Sequence, residues 1–308
     1  MNEAVDLRSK FCGAMVGTGL GDAIGELAFR WPSKEALLAT VACRRELSYT
    51  DDTAMALGLA ESIDEVGGVD RQHLGDTFRR NYWREPWRGY ASGPPTVFSR
   101  VEQEGMSYVD AAWALYGGEG SFGNGAAMRI APVGLYFWSA PDLYEQALLS
   151  ATVTHAHPIG VDGAALQARA VAQAVALDPR NPFPTERFLT ALRDTARTPE
   201  MRQKMSLVGR LLEDETSPPT AARALGQGVA VQRSQPFALY SFLRHSDSFE
   251  ETLFCAVLHG GDRDTMGAMA CAVSGAYLGC RAIPAAWHET LENRHRLEQL
   301  GARLAEKA

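Results

Sequence analysis

The 308-residue sequence lacks the features that mark membrane, secreted and zinc-binding proteins. Its most apolar early stretch, residues 11–29, contains Asp22 and Glu26 and is too polar to span a bilayer. The polar, mixed-charge start MNEAVDLRSK predicts no signal peptide. The five cysteines are odd in number and form no Cys-x-x-Cys pair, which argues against a disulfide framework or a zinc site. We therefore expect a cytoplasmic protein with reduced thiols and no membrane attachment.

Positive charge is also scarce. With 30 Lys and Arg against 37 Asp and Glu, the formal net charge is -7. Nonspecific nucleic-acid binding needs clustered cations on phosphates, so this balance argues against it. A local basic pocket for a small phosphorylated ligand is still compatible with the sequence.

Alternating strand patterns, repeats, heptad arrays and low-complexity linkers are absent, and helical periodicity takes their place. Helices are predicted at residues 5–29, 52–66, 70–83, 96–104, 142–153, 158–177, 184–196, 199–213, 219–232, 236–243, 248–258, 263–280 and 290–305. This pattern predicts an all-α protein with a single domain over residues 1–308. Within the first helix, Gly13, Gly17, Gly21 and Gly25 fall on one stripe, which favours close helix packing.

Two distant helix starts carry the same kind of acidic, threonine-bearing sequence. The first is Thr50-Asp51-Asp52-Thr53 and the second is Asp262-Arg263-Asp264-Thr265. One such start is more simply a capped helix, because hydroxyls and carboxylates interact favourably with a helix N-terminus. Two of them supply four carboxylates, and hard oxygen ligands suit Mg²⁺, Mn²⁺ or Ca²⁺. We hypothesise that they are two halves of one metal site, which requires a fold that brings them together.

A glycine-rich loop, residues 117–125, is the second informative feature. It leads into a helix start with Arg129 in the next turn, and amides at a helix start form a natural phosphate site. A plain glycine-rich turn is the simpler interpretation of the loop alone. His155 and His157 are compatible either with helix capping or with a polar pocket. The loop at residues 89–95 is either scaffold or a pocket wall.

Five strings occur in order along the chain: GDAIGE, YTDDTAMA, GSFGNGAAMR, THAHPIG and GGDRDTMGAMACAVSGAYLG. Together they resemble the ADP-ribosylglycohydrolase family. YTDDTAMA, GSFGNG and the loop RGYASGPPTVF most resemble its (ADP-ribosyl)hydrolase 3-like branch. The similarity extends from about residue 10 to about residue 285. It implies a compact orthogonal bundle of many helices with a dinuclear Mg²⁺ site, in which Mn²⁺ sometimes substitutes.

The resemblance also implies roles for particular residues. Metal ligands would be Thr50, Asp51, Asp52, Asp262, Asp264 and Thr265. The diphosphate and distal ribose would contact Glu119, Gly120, Ser121, Phe122, Gly123, Asn124 and Gly125. Further substrate contacts would come from Asp51, Tyr116, His155 and Val229.

The chain departs from the family pattern at one position. Many members carry a glutamate seven residues after the aspartate of the GD motif, where this sequence has Phe29. Glu26 lies one helical turn earlier and is a candidate for the same cavity. We expect either Asp52 or Glu26 to act as the general base.

These observations predict a metal-dependent hydrolase that releases ADP-ribose by cleaving the bond at its C1″ carbon. Expected partners are ADP-ribose and ADP-ribosylated proteins or small molecules, with nucleic acid only as a modified substrate, and a monomer is favoured. Two alternatives stay open. One is an ADP-ribose-binding relative without catalysis, and the other is a dimetal hydrolase of another ribosyl or nucleotide substrate.

Overall fold

The computed structural model describes residues 6–308 of the chain. The first helices are α1 (Leu7–Arg30), α2 (Lys34–Cys43), α3 (Asp51–Val66), α4 (Arg71–Arg84), α5 (Gly93–Glu104), α6 (Tyr108–Trp113), α7 (Gly125–Met128), α8 (Ala131–Tyr136) and α9 (Leu143–Ala151). The remaining helices are α10 (Pro158–Ala176), α11 (Thr185–Thr195), α12 (Pro199–Glu213), α13 (Pro218–Leu225), α14 (Gln235–Arg244), α15 (Phe249–Val257), α16 (Arg263–Leu278), α17 (Ala285–Thr290) and α18 (Arg294–Lys307). Short 3₁₀ turns occur at Leu115–Gly118, Val231–Arg233 and Cys280–Ala282.

This architecture confirms the predicted all-α class. Across residues 6–308 the only β-type pairings are two isolated bridges, between Leu47 and Leu291 and between Gly123 and Ala230. None of the helices in this range is long and apolar enough to cross a membrane. One cluster of buried side chains contains residues from both ends of the chain, such as Phe11 and Leu300. The assignment of a single domain to residues 1–308 stays a prediction.

Helices α1 and α16 form the centre of the fold, and the glycine stripe of α1 is their contact surface. A β-carbon added at Gly13 would lie 2.5 Å from the carbonyl oxygen of Gly275, and one at Gly21 would lie 2.1 Å from that of Gly267. The missing side chains therefore allow the two backbones to touch, as the spacing predicted. Residue numbers rise along α1 as they fall along α16, so the two helices run antiparallel.

This packing determines where the second acidic helix start lies. A β-carbon added at Gly25 would be 2.5 Å from the α-carbon of Asp264. The N-terminus of α16 is therefore held against the C-terminal half of α1, close to Glu26. The same half of α1 carries Asp22, which contacts the start of α3.

The prediction of one helix over residues 219–232 is wrong. Helix α13 ends at Leu225, and Gly226 follows with φ 103°, a conformation that favours glycine. Residues 227–230 then form an irregular connection that leads into the 3₁₀ turn at Val231–Arg233. Helices α2, α6, α7, α8 and α17 were not predicted, and four of the five have no more than six residues.

Candidate active site

Asp22 anchors the first acidic helix start. Its buried carboxylate accepts hydrogen bonds from the backbone amides of Thr50 and Thr53, each at 3.0 Å. It also accepts from their hydroxyls, at 2.8 Å from Thr50 and 2.6 Å from Thr53. A residue distant in sequence thus caps α3, whose own N-cap side chain makes no capping bond. Sequence reasoning gave Asp22 no role, although an aspartate within a glycine-packed helix face was a usable signal.

The structure brings the two acidic helix starts together. Burial, and then the charge of Asp22, raises the pKa of Asp51 to about 7. Burial, and then the charge of Asp262, raises the pKa of Asp264 to about 8. Burial raises the pKa of Asp52 as well, followed by the charges of Asp22 and Asp264. Carboxylates from both helix starts therefore repel one another within one region, as the hypothesis of two half-sites requires.

The chemistry of this cluster fits a divalent cation. Asp52 is 1% exposed, and its Oδ1 atom is buried without a hydrogen-bond partner. Its other oxygen lies 3.2 Å from the Thr50 hydroxyl oxygen, whose single proton has a closer acceptor in Asp22. An orphaned carboxylate oxygen among other carboxylates is costly unless positive charge compensates it. Within residues 6–308, no group of three His, Cys, Asp or Glu side chains is arranged to hold a metal ion by itself.

The glycine-rich loop is tied to the second acidic helix start. Gly120 has φ 72°, and a β-carbon there would lie 2.8 Å from the backbone nitrogen of His157. The amide of Asn124 donates to the carbonyl of Val229 at 2.8 Å, which joins the glycine loop to the segment after α13. The Asn124 side-chain amide donates to Asp262 at 2.6 Å. One residue therefore links the phosphate-type loop to a predicted metal ligand.

His155 lies under this loop as a neutral ring. Burial, and then the charge of Arg129, lowers the pKa of His155 to about 3. Its Nδ1 atom is 2.7 Å from the Thr154 hydroxyl. A β-carbon at Gly125 would lie 2.8 Å from the imidazole Cε1 atom, so only glycine admits the ring. The uncharged ring can offer one hydrogen bond to a ligand without adding charge.

Arg129 supports the loop from below. Its guanidinium is fully buried and donates to the Gly125 carbonyl at 2.9 Å and to the Thr154 hydroxyl at 2.8 Å. Arg129 is not among the residues that line the neighbouring cleft described below. Its role is therefore to support the glycine loop rather than to contact a ligand. His157 caps α10 by accepting from the amide of Ile159 at 3.1 Å.

A cleft of about 280 Å³, here called the central cleft, lies between the glycine loop and the acidic cluster. The predicted site residues that line it are Asp51, Tyr116, Ser121, Gly123, Asn124, Gly125, His155, Val229, Asp262, Asp264 and Thr265. Sequence reasoning did not assign Met128 to it and left the loop at residues 89–95 open. The structure makes that loop a wall, through Gly89, Ala91, Gly93 and Pro94.

Two further chambers continue the central cleft at its ends. An apolar chamber of about 190 Å³ shares Tyr116 and Val229 with it and adds Phe122. An outer chamber of about 630 Å³ shares Asp51 and Asp264 with it.

The outer chamber also contains Glu26 and Thr50. The remaining predicted residues lie elsewhere. Asp52 is buried behind the cleft, Glu119 is exposed on the loop, and Gly120 is buried within it.

A network around Arg88 holds one wall of the outer chamber. The guanidinium donates to both oxygens of Glu292, at 2.8 and 2.7 Å, and to Glu85 at 3.0 Å. It also donates to the carbonyl of Tyr49 at 3.1 Å, immediately before the acidic helix start. The sequence carried no local signal for this network, because Arg88 and Glu292 are 204 residues apart.

Comparison with known proteins places this fold and site in a class. The ADP-ribosylglycohydrolase family model matches residues 3–308. A solved "ADP-ribosylglycohydrolase-related protein complex" superimposes with a TM-score of 0.74 at 27% identity, covering 98% of each chain. The chain belongs to the ADP-ribosylglycohydrolase family.

Its relatives include ADP-ribosylhydrolase ARH3 proteins of vertebrates. The Bos taurus protein is 31% identical, with 96% of this chain and 92% of the relative covered. The Homo sapiens protein is also 31% identical, with 92% and 89% covered. The Mus musculus protein is 33% identical, with 92% and 88% covered. These relatives agree with the branch that the motifs indicated.

Proposed function

We propose that this protein is a divalent-cation-dependent hydrolase that releases ADP-ribose from an ADP-ribosylated substrate by cleaving the bond at C1″. The observation that carries the proposal is the continuity of the three chambers. The apolar chamber offers aromatic rings, the central cleft is lined by the glycine loop, and the acidic residues lie where the central cleft meets the outer chamber. This is the order of adenine, diphosphate and distal ribose in ADP-ribose. The family and the names of its ARH3 relatives support the same substrate.

Each part of the substrate has matching chemistry along the cleft. Tyr116 and Phe122, exposed by 64% and 41%, offer apolar ring surface for adenine. Gly123 and Gly125 line the central cleft, and a glycine-rich loop at a helix start suits a diphosphate because its backbone can approach the phosphate oxygens closely. His155 adds one neutral polar contact. The distal ribose then lies beside Asp51 and Asp264.

The acidic cluster is proposed to hold two Mg²⁺ ions, with Mn²⁺ as a substitute, through Thr50, Asp51, Asp52, Asp262, Asp264 and Thr265. Bound there, the ions would supply positive charge that compensates the carboxylates and polarises the oxygens they contact. Asp22 holds the start of α3, which carries the first three of these residues, by accepting four hydrogen bonds from Thr50 and Thr53. Asn124 orients Asp262 by donating a hydrogen bond to its carboxylate.

Hydrolysis breaks the C1″ bond to the leaving group and forms a new C1″–O bond from water. One proton must leave that water, and one must reach the departing atom. Glu26 lines the outer chamber next to Asp264, which places a carboxylate on the solvent side of the proposed ribose position. Asp52 is buried behind the cleft, a position that favours cation binding. We therefore favour Glu26 over Asp52 as the group that takes the proton.

Replacing Asp264 with Asn tests the proposal. We expect ADP-ribose release from modified protein, assayed with Mg²⁺, to fall by about a hundredfold or more, because a charged ligand in the acidic cluster is lost. Replacing the exposed Asp247, which lies outside the chambers, with Asn is the control and should leave turnover unchanged. Undiminished release by the Asp264 variant would contradict the cation site.

Calorimetry with ADP-ribose separates catalysis from binding. Tight binding by the wild-type protein without any release would favour the ADP-ribose-binding alternative, to which Phe29 in place of the family glutamate gives weight. Release from other phosphorylated ribosides, but not from ADP-ribosylated protein, would favour a different substrate.

A further inference from the structure

A second cavity of about 350 Å³ lies away from the central cleft, between α10 and α11. It is lined by Arg169 and Gln173 of α10, by Arg187 and Phe188 of α11, and by Trp138 after α8. Arg169 lies about 16 Å along α10 from Pro158, at 1.5 Å per residue. The cavity is therefore separate from His155 and the glycine loop at the other end of that helix.

The polar lining of this cavity consists almost entirely of donors. The Nε atom of Arg169 and the indole Nε1 atom of Trp138 are both buried and have no hydrogen-bond partner. Within residues 6–308, neither Arg169 nor Arg187 forms an ion pair. None of the residues that line the cavity is acidic.

Nearby backbone acceptors are already occupied. The ammonium of Lys10 donates to the carbonyls of Val175, at 2.8 Å, and Leu177 at the C-terminal end of α10. The side-chain amide of Gln173 donates to the Phe188 carbonyl at 3.4 Å. The orphaned donors of Trp138 and Arg169 therefore need an acceptor from outside the chain, because a buried N–H without a partner is costly.

We propose that this cavity binds a small organic anion with a phosphate or carboxylate head and an apolar body. The head accepts hydrogen bonds from the Arg169 and Arg187 guanidinium groups and from the Trp138 indole. The body packs on Phe188 and the neighbouring Leu177 and alanine side chains. The site is independent of the proposed hydrolase activity.

Titration with phenyl phosphate, followed through the indole N–H signals of the full-length protein, tests this proposal. The chain has six tryptophans, and a Trp138→Phe variant assigns the relevant signal. We expect the Trp138 signal to move saturably with phenyl phosphate and with benzoate, and to stay still with neutral benzyl alcohol. Trp87 lines the outer chamber, so movement of its signal alone would report binding at the hydrolase site instead and would overturn the proposal.

Charge variants supply the second measurement. An Arg169→Gln/Arg187→Gln variant should bind phenyl phosphate at least about tenfold more weakly, because two charge-assisted contacts are lost. Arg187 is exposed, so Arg187→Gln alone keeps the test available if the double variant folds poorly. Arg193→Gln, which changes the same charge on α11 but outside the cavity, should bind like the wild type. Equal affinity in the wild-type and Arg187→Gln proteins would overturn the assignment.

Discussion

At the scale of single residues, the site depends on carboxylates whose roles differ by what surrounds them. Both carboxylate oxygens of Asp22 accept hydrogen bonds, whereas Asp52 has one buried oxygen without a partner. Residue type alone does not separate these roles, because both are buried aspartates near a helix start. Their neighbours assign Asp22 to holding the backbone and Asp52 to binding positive charge.

Replacing Asp22 with Asn should destabilise the protein by about 3 kcal/mol, since hydrogen bonds to a charged group contribute about 1.5–3 kcal/mol each and an amide donor would face the threonine donors. Urea unfolding measures the change. The exposed Asp247→Asn substitution is the control, with an expected change within about 0.5 kcal/mol. If the two variants were equally stable, Asp22 would not anchor α3.

The clustered carboxylates also predict an inverted pH dependence of stability. Burial raises the pKa of Asp22 to about 6, and burial with neighbouring charge raises those of Asp51 to about 7 and Asp264 to about 8. The folded protein then retains protons that the unfolded chain releases near pH 4. Their stabilising contribution is full below about pH 4 and is lost as the pH rises through about 8.

Urea unfolding in EDTA at pH 5 and pH 8 measures this effect, and we expect lower stability at pH 8. Adding Mg²⁺ should recover stability mainly at pH 8, because the cation replaces the protons as compensating charge. An Asp264→Asn variant should show a smaller loss between the two pH values. A pH profile that Mg²⁺ leaves unchanged would argue against cation binding at this cluster.

At the scale of elements, the contact between α1 and α16 places the two acidic helix starts beside each other. The four-residue glycine spacing predicted a close contact but did not name the partner helix. The partner is decided by Gly267 and Gly275 on α16, whose carbonyl oxygens occupy the space that side chains on α1 would need.

A Gly21→Ala substitution tests this contact, because a close backbone contact predicts lower stability whereas helix propensity alone predicts higher stability. Alanine is favoured over glycine inside a helix by about 1 kcal/mol. The added carbon would lie 2.1 Å from the Gly267 carbonyl oxygen, so the helices must separate. We expect a net loss of about 3 kcal/mol, near the upper end for overpacking, together with weaker Mg²⁺ binding.

Gly209→Ala in α12 is the matched control. A β-carbon there would meet only a Leu189 side-chain atom at 3.5 Å, an ordinary contact. This variant should be as stable as the wild type or slightly more stable. A stabilised Gly21→Ala variant would contradict the close backbone contact.

At the scale of the whole molecule, the cleft is closed by contacts between residues far apart in sequence. Arg88 joins the loop after α4 to Glu292 before α18, and to Tyr49 before α3. The three segments that meet there enclose the outer chamber, where the leaving group of the proposed substrate would lie.

Replacing Arg88 with Lys should therefore lower kcat/KM for ADP-ribosylated protein by about tenfold, because a lysine cannot reproduce the bidentate contact with Glu292. Affinity for free ADP-ribose should change little, since that ligand lacks the leaving group that would lie beside Arg88 in the outer chamber. Steady-state kinetics and calorimetry measure the two quantities. Arg84→Lys, an exposed arginine of the same region, is the control.

Local patterns in the sequence determined the helical class, most of the long helices and the composition of the site. Hydrophobic periodicity and the acidic, threonine-bearing helix starts need only neighbouring residues to be recognised. They predicted α3 within one residue at its N-terminus, and together with the family resemblance they gave eleven of the residues that line the central cleft. The predicted helix at residues 219–232 wrongly included Gly226. The sequence shows the glycine, but its positive φ is a property of the folded chain.

Only the tertiary structure decided how these parts meet. It paired α1 with α16, set Asp22 under α3 and joined Arg88 to Glu292. It also buried Arg129 beneath the glycine loop and brought Arg169 and Arg187 into one cavity. The physical reason is the same in each case. Burial, repulsion between carboxylates and the space beside a glycine depend on atoms that folding brings together from distant parts of the chain.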